Sequence, residues 1–212
     1  MFRLRHSPVA WFLLRFVAIY GLLIAPWPGW NAHYAGWMAD FGSTLLSPLN
    51  NRWIVRFETE ARTPARPLDL RIIVANPDRV TASGNAPAVV LELDARGIGW
   101  VPTALLIALI LATPLPWSRR LGALLGGLAA IHALILFSIG IHLLSHSDAS
   151  SGLSLVTLSP WGKMVADGLD ETLITQLSPG LVCAVLLWVL VSFRRTDWRL
   201  LWAASRKNVP DR

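Results

Sequence analysis

Residues Ala88 to Ser145 read AVVLELDARGIGWVPTALLIALILATPLPWSRRLGALLGGLAAIHALILFSIGIHLLS. The start alternates like a strand, and two long apolar runs follow. Neither Ile98–Pro116 nor Leu121–Leu144 contains an Asp, Glu, Lys or Arg. At about 1.5 Å per helical residue, each run is long enough for a hydrocarbon layer roughly 30 Å thick. Only Trp117-Ser-Arg-Arg120 separates them, which reads as the turn of a membrane hairpin.

Composition supports a lipid setting. The 212 residues are 54% hydrophobic and 15% charged, whereas about a quarter of a soluble domain is charged. A net charge of +6 could point to nucleic acid. The basic residues lie mainly beside the apolar runs, however, where topology signals and headgroup contacts explain them better. No nucleic-acid partner is expected, and membrane lipid is. One cysteine excludes an intrachain disulfide framework and any multi-thiolate metal site.

Outward from the hairpin, a first membrane helix is expected within residues 1–30, apolar from Val9 to Trp27 apart from Arg15. Trp11, Trp27 and Trp30 suit interfacial anchors. Arg15 lies one turn inside, where it can snorkel to the headgroups or act as an intramembrane charge. Residues 31–97 should then form an amphipathic helix and a small β module. Tyr34, Trp37, Met38, Phe41 and Leu45 give the helix one stripe, to lie on the membrane or pack on the module. Alternation at Trp53/Val55/Phe57, Leu68/Leu70/Ile72/Val74 and Val89/Leu91/Leu93 gives three strands of an antiparallel sheet, with turns near Thr63–Pro67 and Asn76–Pro87.

Residues 98–145 are the hairpin of the second and third membrane helices. Gly122, Gly126 and Gly127 offer close helix approach there. Residues 146–178 form an outer loop with a surface helix begun by Ser159 and Pro160 and striped by Met164, Val165, Leu169, Leu173 and Leu177. Residues 179–193 form a short fourth membrane helix, and 194–212 a basic interfacial tail. The expected class is therefore an α-helical membrane protein with four transmembrane helices and a small antiparallel β module between the first two, on the outer face. The start, the Arg119-Arg120 turn and the tail hold eleven of the nineteen basic residues. That places both termini in the cytoplasm and the β module outside.

The intramembrane polar set is Arg15, His132, His142 and Cys183, with Asp94 and Arg96 at the outer mouth of the second helix. A thiol needs a base or a cation to become a nucleophile. Cys183 with His142 and Arg96 is the one enzymatic arrangement available, a membrane-embedded cysteine protease or transpeptidase-like enzyme. Against it, Cys183 sits in Leu-Val-Cys-Ala-Val, like a small buried hydrophobe. His132 and His142, ten residues apart, make no facial metal pair, so no metal and no cofactor are expected. They suit hydrogen bonds between helices, and with Arg15, Asp94, Arg96, Gly122 and Gly126 they are candidate partner or packing positions. A transporter would need paired intramembrane charges or two similar halves, and neither is seen.

In Val89–Leu93, in Asp94-Ala-Arg-Gly-Ile-Gly-Trp-Val-Pro102, in the apolar run to Pro114 and in Trp117-Ser-Arg-Arg120, the chain resembles bacterial exosortase H-associated membrane proteins. The resemblance covers residues 89–120, 32 of the 212 residues. It implies an inner-membrane accessory, with an exosortase, a membrane-embedded cysteine transpeptidase-like enzyme, as its integral membrane partner. Exosortases place the cysteine first, followed by arginine and histidine on later helices. Here both membrane histidines precede Cys183, so the chain resembles the accessory and not the enzyme. No functional residue is carried over from that family.

Overall fold

The structure is a computed structural model and describes residues 8–46, 54–61, 63, 68–76, 88–146, 158–172 and 178–193. Expectations for residues 1–7, Trp53, the turn residues 64–67 and 77–87, Leu173, Leu177 and the tail 194–212 lie outside these. Helices α1 (Pro8–Ile24) and α2 (Trp30–Leu46) precede strands β1 (Ile54–Thr59), β2 (Leu70–Ala75) and β3 (Ala88–Leu93). A π-helical turn, Arg96–Trp100, leads into α3 (Val101–Ala112), followed by α4 (Trp117–His146), α5 (Pro160–Asp170) and α6 (Ser178–Ser192).

The expectation of four transmembrane helices is corrected. Among the described residues, one helix, the 30-residue α4, is long and apolar enough to cross a membrane. α1 has 17 residues, α3 has 12 and α6 has 15. At ~1.5 Å per residue these reach about 26, 18 and 23 Å, short of a layer of roughly 30 Å. The first two apolar runs overstated helix length because part of each is not α-helix. Residues 98–100 of the second run lie in the π-helical turn, and residues 113–116 are not helical. Pro114 and Pro116 cannot donate backbone hydrogen bonds, which fixes that break. Trp117-Ser-Arg-Arg120 is not a turn either; it is the first turn of α4.

The chain divides into two compact units. The helical unit comprises the described residues within Met1–Ile24, Thr103–Ile131 and Val182–Arg212; the sheet unit comprises those within Ala25–Pro102 and His132–Leu181. In the helical unit, α3 is largely buried, through Ala104, Leu106, Ala108, Leu109 and Ile110, while Leu105, Ile107 and Leu111 are half-buried. Gly127 of α4 permits close approach to it: a Cβ there would lie 3.2 Å from Ile110 Cδ1 and 3.3 Å from Leu106 Cδ2. Phe12 of α1 stacks on Trp188 of α6, centroids 6.1 Å apart. The outward faces of these helices are hydrocarbon, including Leu13, Leu14 and Val17 on α1, Leu125 (71% exposed) on α4 and Leu190 (73% exposed) on α6.

The sheet unit matches the expected period. β1, β2 and β3 pair antiparallel in sequence order, with Phe57 opposite Ile72 and Ile72 opposite Leu91. The pleat puts Val55, Phe57, Leu70, Ile72, Val74, Val89, Leu91 and Leu93 on one face, and Leu70, Ile72, Val74, Leu91 and Leu93 are buried. α2 packs on β1. A Cβ at Gly42 would lie 2.8 Å from Phe57 Cε1, so only glycine lets helix and strand approach this closely. The stripe on α2 thus packs on the module, with Tyr34 and Met38 buried and Trp37 and Leu45 exposed.

The passage from sheet to α3 is set by two carboxylates. Asp69 Oδ1 accepts from Ala95 N at 2.8 Å, and Asp94 Oδ1 accepts from Arg96 N at 3.1 Å. Both satisfy amide donors that the start of a helix leaves unpaired. Gly99 leaves room for the Tyr34 ring, since a Cβ there would be 2.5 Å from its hydroxyl oxygen.

Candidate functional site

Polar side chains gather at helix ends in each unit, and the two gatherings differ in chemistry. In the helical unit they surround Thr113, just beyond α3. Its hydroxyl donates to Leu109 O at 2.6 Å and accepts from Trp188 Nε1 at 2.9 Å. The Thr113 carbonyl accepts from Arg120 Nη2 at 3.1 Å, and Arg119 Nη2 donates to Ser192 O, the last residue of α6, at 3.3 Å. Two arginines at the start of α4 oppose its own dipole. They instead reach the carbonyl ends of α3 and α6, where a cation is favoured. Arg120 also lies over Trp117, 4.7 Å from the ring centroid. This knot is structural.

The second gathering lies in the sheet unit. His142, Ser145 and His146 occupy the last turn of α4, and Asp170 ends α5. Ser159 starts α5 as expected, its hydroxyl accepting from Gly162 N at 3.1 Å with Pro160 behind it. Residues four apart on a helix share a face, so His142 and His146 stand side by side, ring centroids 4.5 Å apart. Asp170 faces both. His142 Nδ1 donates to Asp170 Oδ1 at 2.6 Å, and His146 Nδ1 is 3.8 Å from Oδ2. Ser145 Oγ lies 3.0 Å from Asp170 Oδ2, from His142 O and from His146 Nδ1. A hydroxyl has one proton, so Ser145 donates to one of the two oxygens at a time, and its lone pairs can accept from His146 Nδ1 when that nitrogen carries a hydrogen. The side chains of His142 and Asp170 are each 14% exposed, against 44% for His146.

The residues singled out from sequence are distributed as follows. Arg15 is exposed on α1, its guanidinium 5.5 Å from the Trp11 ring centroid, one turn toward the helix start. His132 packs edge-on against Trp37 at 4.9 Å. Asp94 caps the turn that contains Arg96. Gly122 and Gly126 are exposed, with no atom within 4 Å of a would-be Cβ among the described residues, while Gly127, the third expected packing glycine, makes the close contact. Cys183 is half-buried on α6 in the helical unit and makes no hydrogen bond among the described residues. His142 and Arg96 belong to the sheet unit, and the His142 ring is engaged by Asp170.

Sequence reasoning singled out His142 but missed Ser145, His146 and Asp170. The repeat His142-x-x-x-His146 was a usable signal. Asp170, 28 residues from His142, carried none. The chain matches no protein-family model, no curated protein and no solved structure.

Proposed function

We propose that this chain is a non-enzymatic accessory protein of the bacterial inner membrane, anchored by its helical unit and presenting its sheet unit to an integral membrane partner. The observation that carries the reading is the hydrocarbon outer surface of α1, α4 and α6. Contiguous apolar surface of this kind is costly in water and neutral in lipid. α4 is long enough to cross, and Arg119-Arg120 at its start supports a cytosolic setting for that end by the positive-inside rule. The His146 end then lies at the outer face, where Trp161 and Met164 of α5 are exposed to meet an interface. The resemblance of residues 89–120 to exosortase H-associated proteins is what supports an exosortase-type sorting enzyme as the partner class.

The test is purification of the tagged full chain from native membranes in mild detergent. Co-recovery of one other integral membrane protein in fixed ratio is expected. Recovery of a lone, stable monomer contradicts the reading. Replacing Cys183 by Ala should leave that association unchanged.

A further inference from the structure

Two helix ends meet at the His142 cluster, and the charge there is unbalanced. α4 ends at His146 and α5 at Asp170. A helix C-terminus carries about half a negative charge. To two such ends the cluster adds the Asp170 carboxylate, while Asp167 and Glu171 are exposed nearby on the same end of α5. The comparable helix ends in the helical unit receive arginine. Here, among the described residues, Asp170 pairs only with Ser145, His142 and His146. The groups that face this charge are imidazoles, which carry a positive charge only when protonated. They are, however, good metal ligands.

We infer that His142, His146 and Asp170 bind one divalent transition-metal ion, of which Zn2+ is the natural representative. Two imidazole nitrogens and a carboxylate oxygen form a donor set that suits zinc and its first-row neighbours. The three donor atoms lie within 4.8 Å of one another. Donors around a tetrahedral ion at ~2.1 Å stand about 3.4 Å apart. Side-chain rotation of roughly an ångström supplies that change, opening the 2.6 Å His142–Asp170 contact and drawing His146 in. Ser145 holds the second carboxylate oxygen at 3.0 Å and acts as the outer partner that orients a metal-ligating carboxylate. The partly exposed His146 provides the entry path. Three protein ligands leave a fourth position for water or for a donor from another molecule. The inference does not depend on the accessory role, because the cluster lies wholly within the sheet unit.

The experiment uses the full-length chain in detergent, stripped with chelator and titrated calorimetrically with Zn2+ alone at neutral pH. Binding of one Zn2+ per chain is expected. His146→Gln, a change at a partly exposed side chain that leaves the His142–Asp170 contact intact, should weaken it tenfold or more, as should Asp170→Asn. Ser145→Ala should weaken it by about tenfold. His33→Gln, at the exposed histidine of α2, should leave it unchanged. Absence of saturable binding, or equal affinity in His146→Gln and the parent chain, overturns the inference and leaves His142–Asp170 as a hydrogen bond joining two helices.

Discussion

The helical unit closes its helix ends with arginine, and the sheet unit leaves two helix ends facing a carboxylate and two imidazoles. Both solve the same problem, since the last carbonyls of any helix lack intrahelical partners. Arginine is permanently charged and carries five donors, so Arg119 and Arg120 give the α3 and α6 ends one fixed arrangement. Histidine can donate, accept or ligate, so the α4 and α5 ends keep chemistry in reserve. The lesson is to read polar residues at helix ends by whether their charge is already matched.

The largest way to break this contrast is Trp188→Ala. It removes the indole that bonds Thr113 and touches Phe12 and Phe193, and should cost about 3–4 kcal/mol. Thermal unfolding in detergent would register it, with zinc affinity in the sheet unit retained. Asp170→Asn should be milder in the absence of metal, about 1–3 kcal/mol for the weakened bonds to His142 and Ser145, and any stabilisation by zinc should vanish. Arg120→Ala should cost about 1 kcal/mol, since it loses one carbonyl contact at a partly buried site. Gly126→Ala should lie within about 0.5 kcal/mol of the parent in the same assay, because a Cβ there meets nothing.

The sheet was legible because period-two alternation is a direct image of the pleat: Leu70, Ile72 and Val74 are the residues buried in β2. The start of α5 was legible for a similar reason, as Ser159-Pro160 is local chemistry. Membrane spans were less so. Counting apolar residues from Ile98 to Pro116 measures composition, while crossing a bilayer takes unbroken helix, and the helix that begins in the π-helical turn stops at Ala112. The cover on the sheet remained open because an aromatic stripe fits lipid and protein alike; what decided for protein was Gly42, small enough to admit Phe57. At the candidate site, His142 was visible as a polar residue in an apolar helix. Asp170 was not, since it looks like any acid in a polar loop until α5 ends beside α4.

That α4 and its apolar neighbours lie in hydrocarbon is tested most directly by washing membranes from cells expressing the full chain with alkaline carbonate and high salt. The account predicts that the chain stays with the membrane pellet and leaves it only in detergent. Release into the carbonate supernatant as dissolved protein would contradict it.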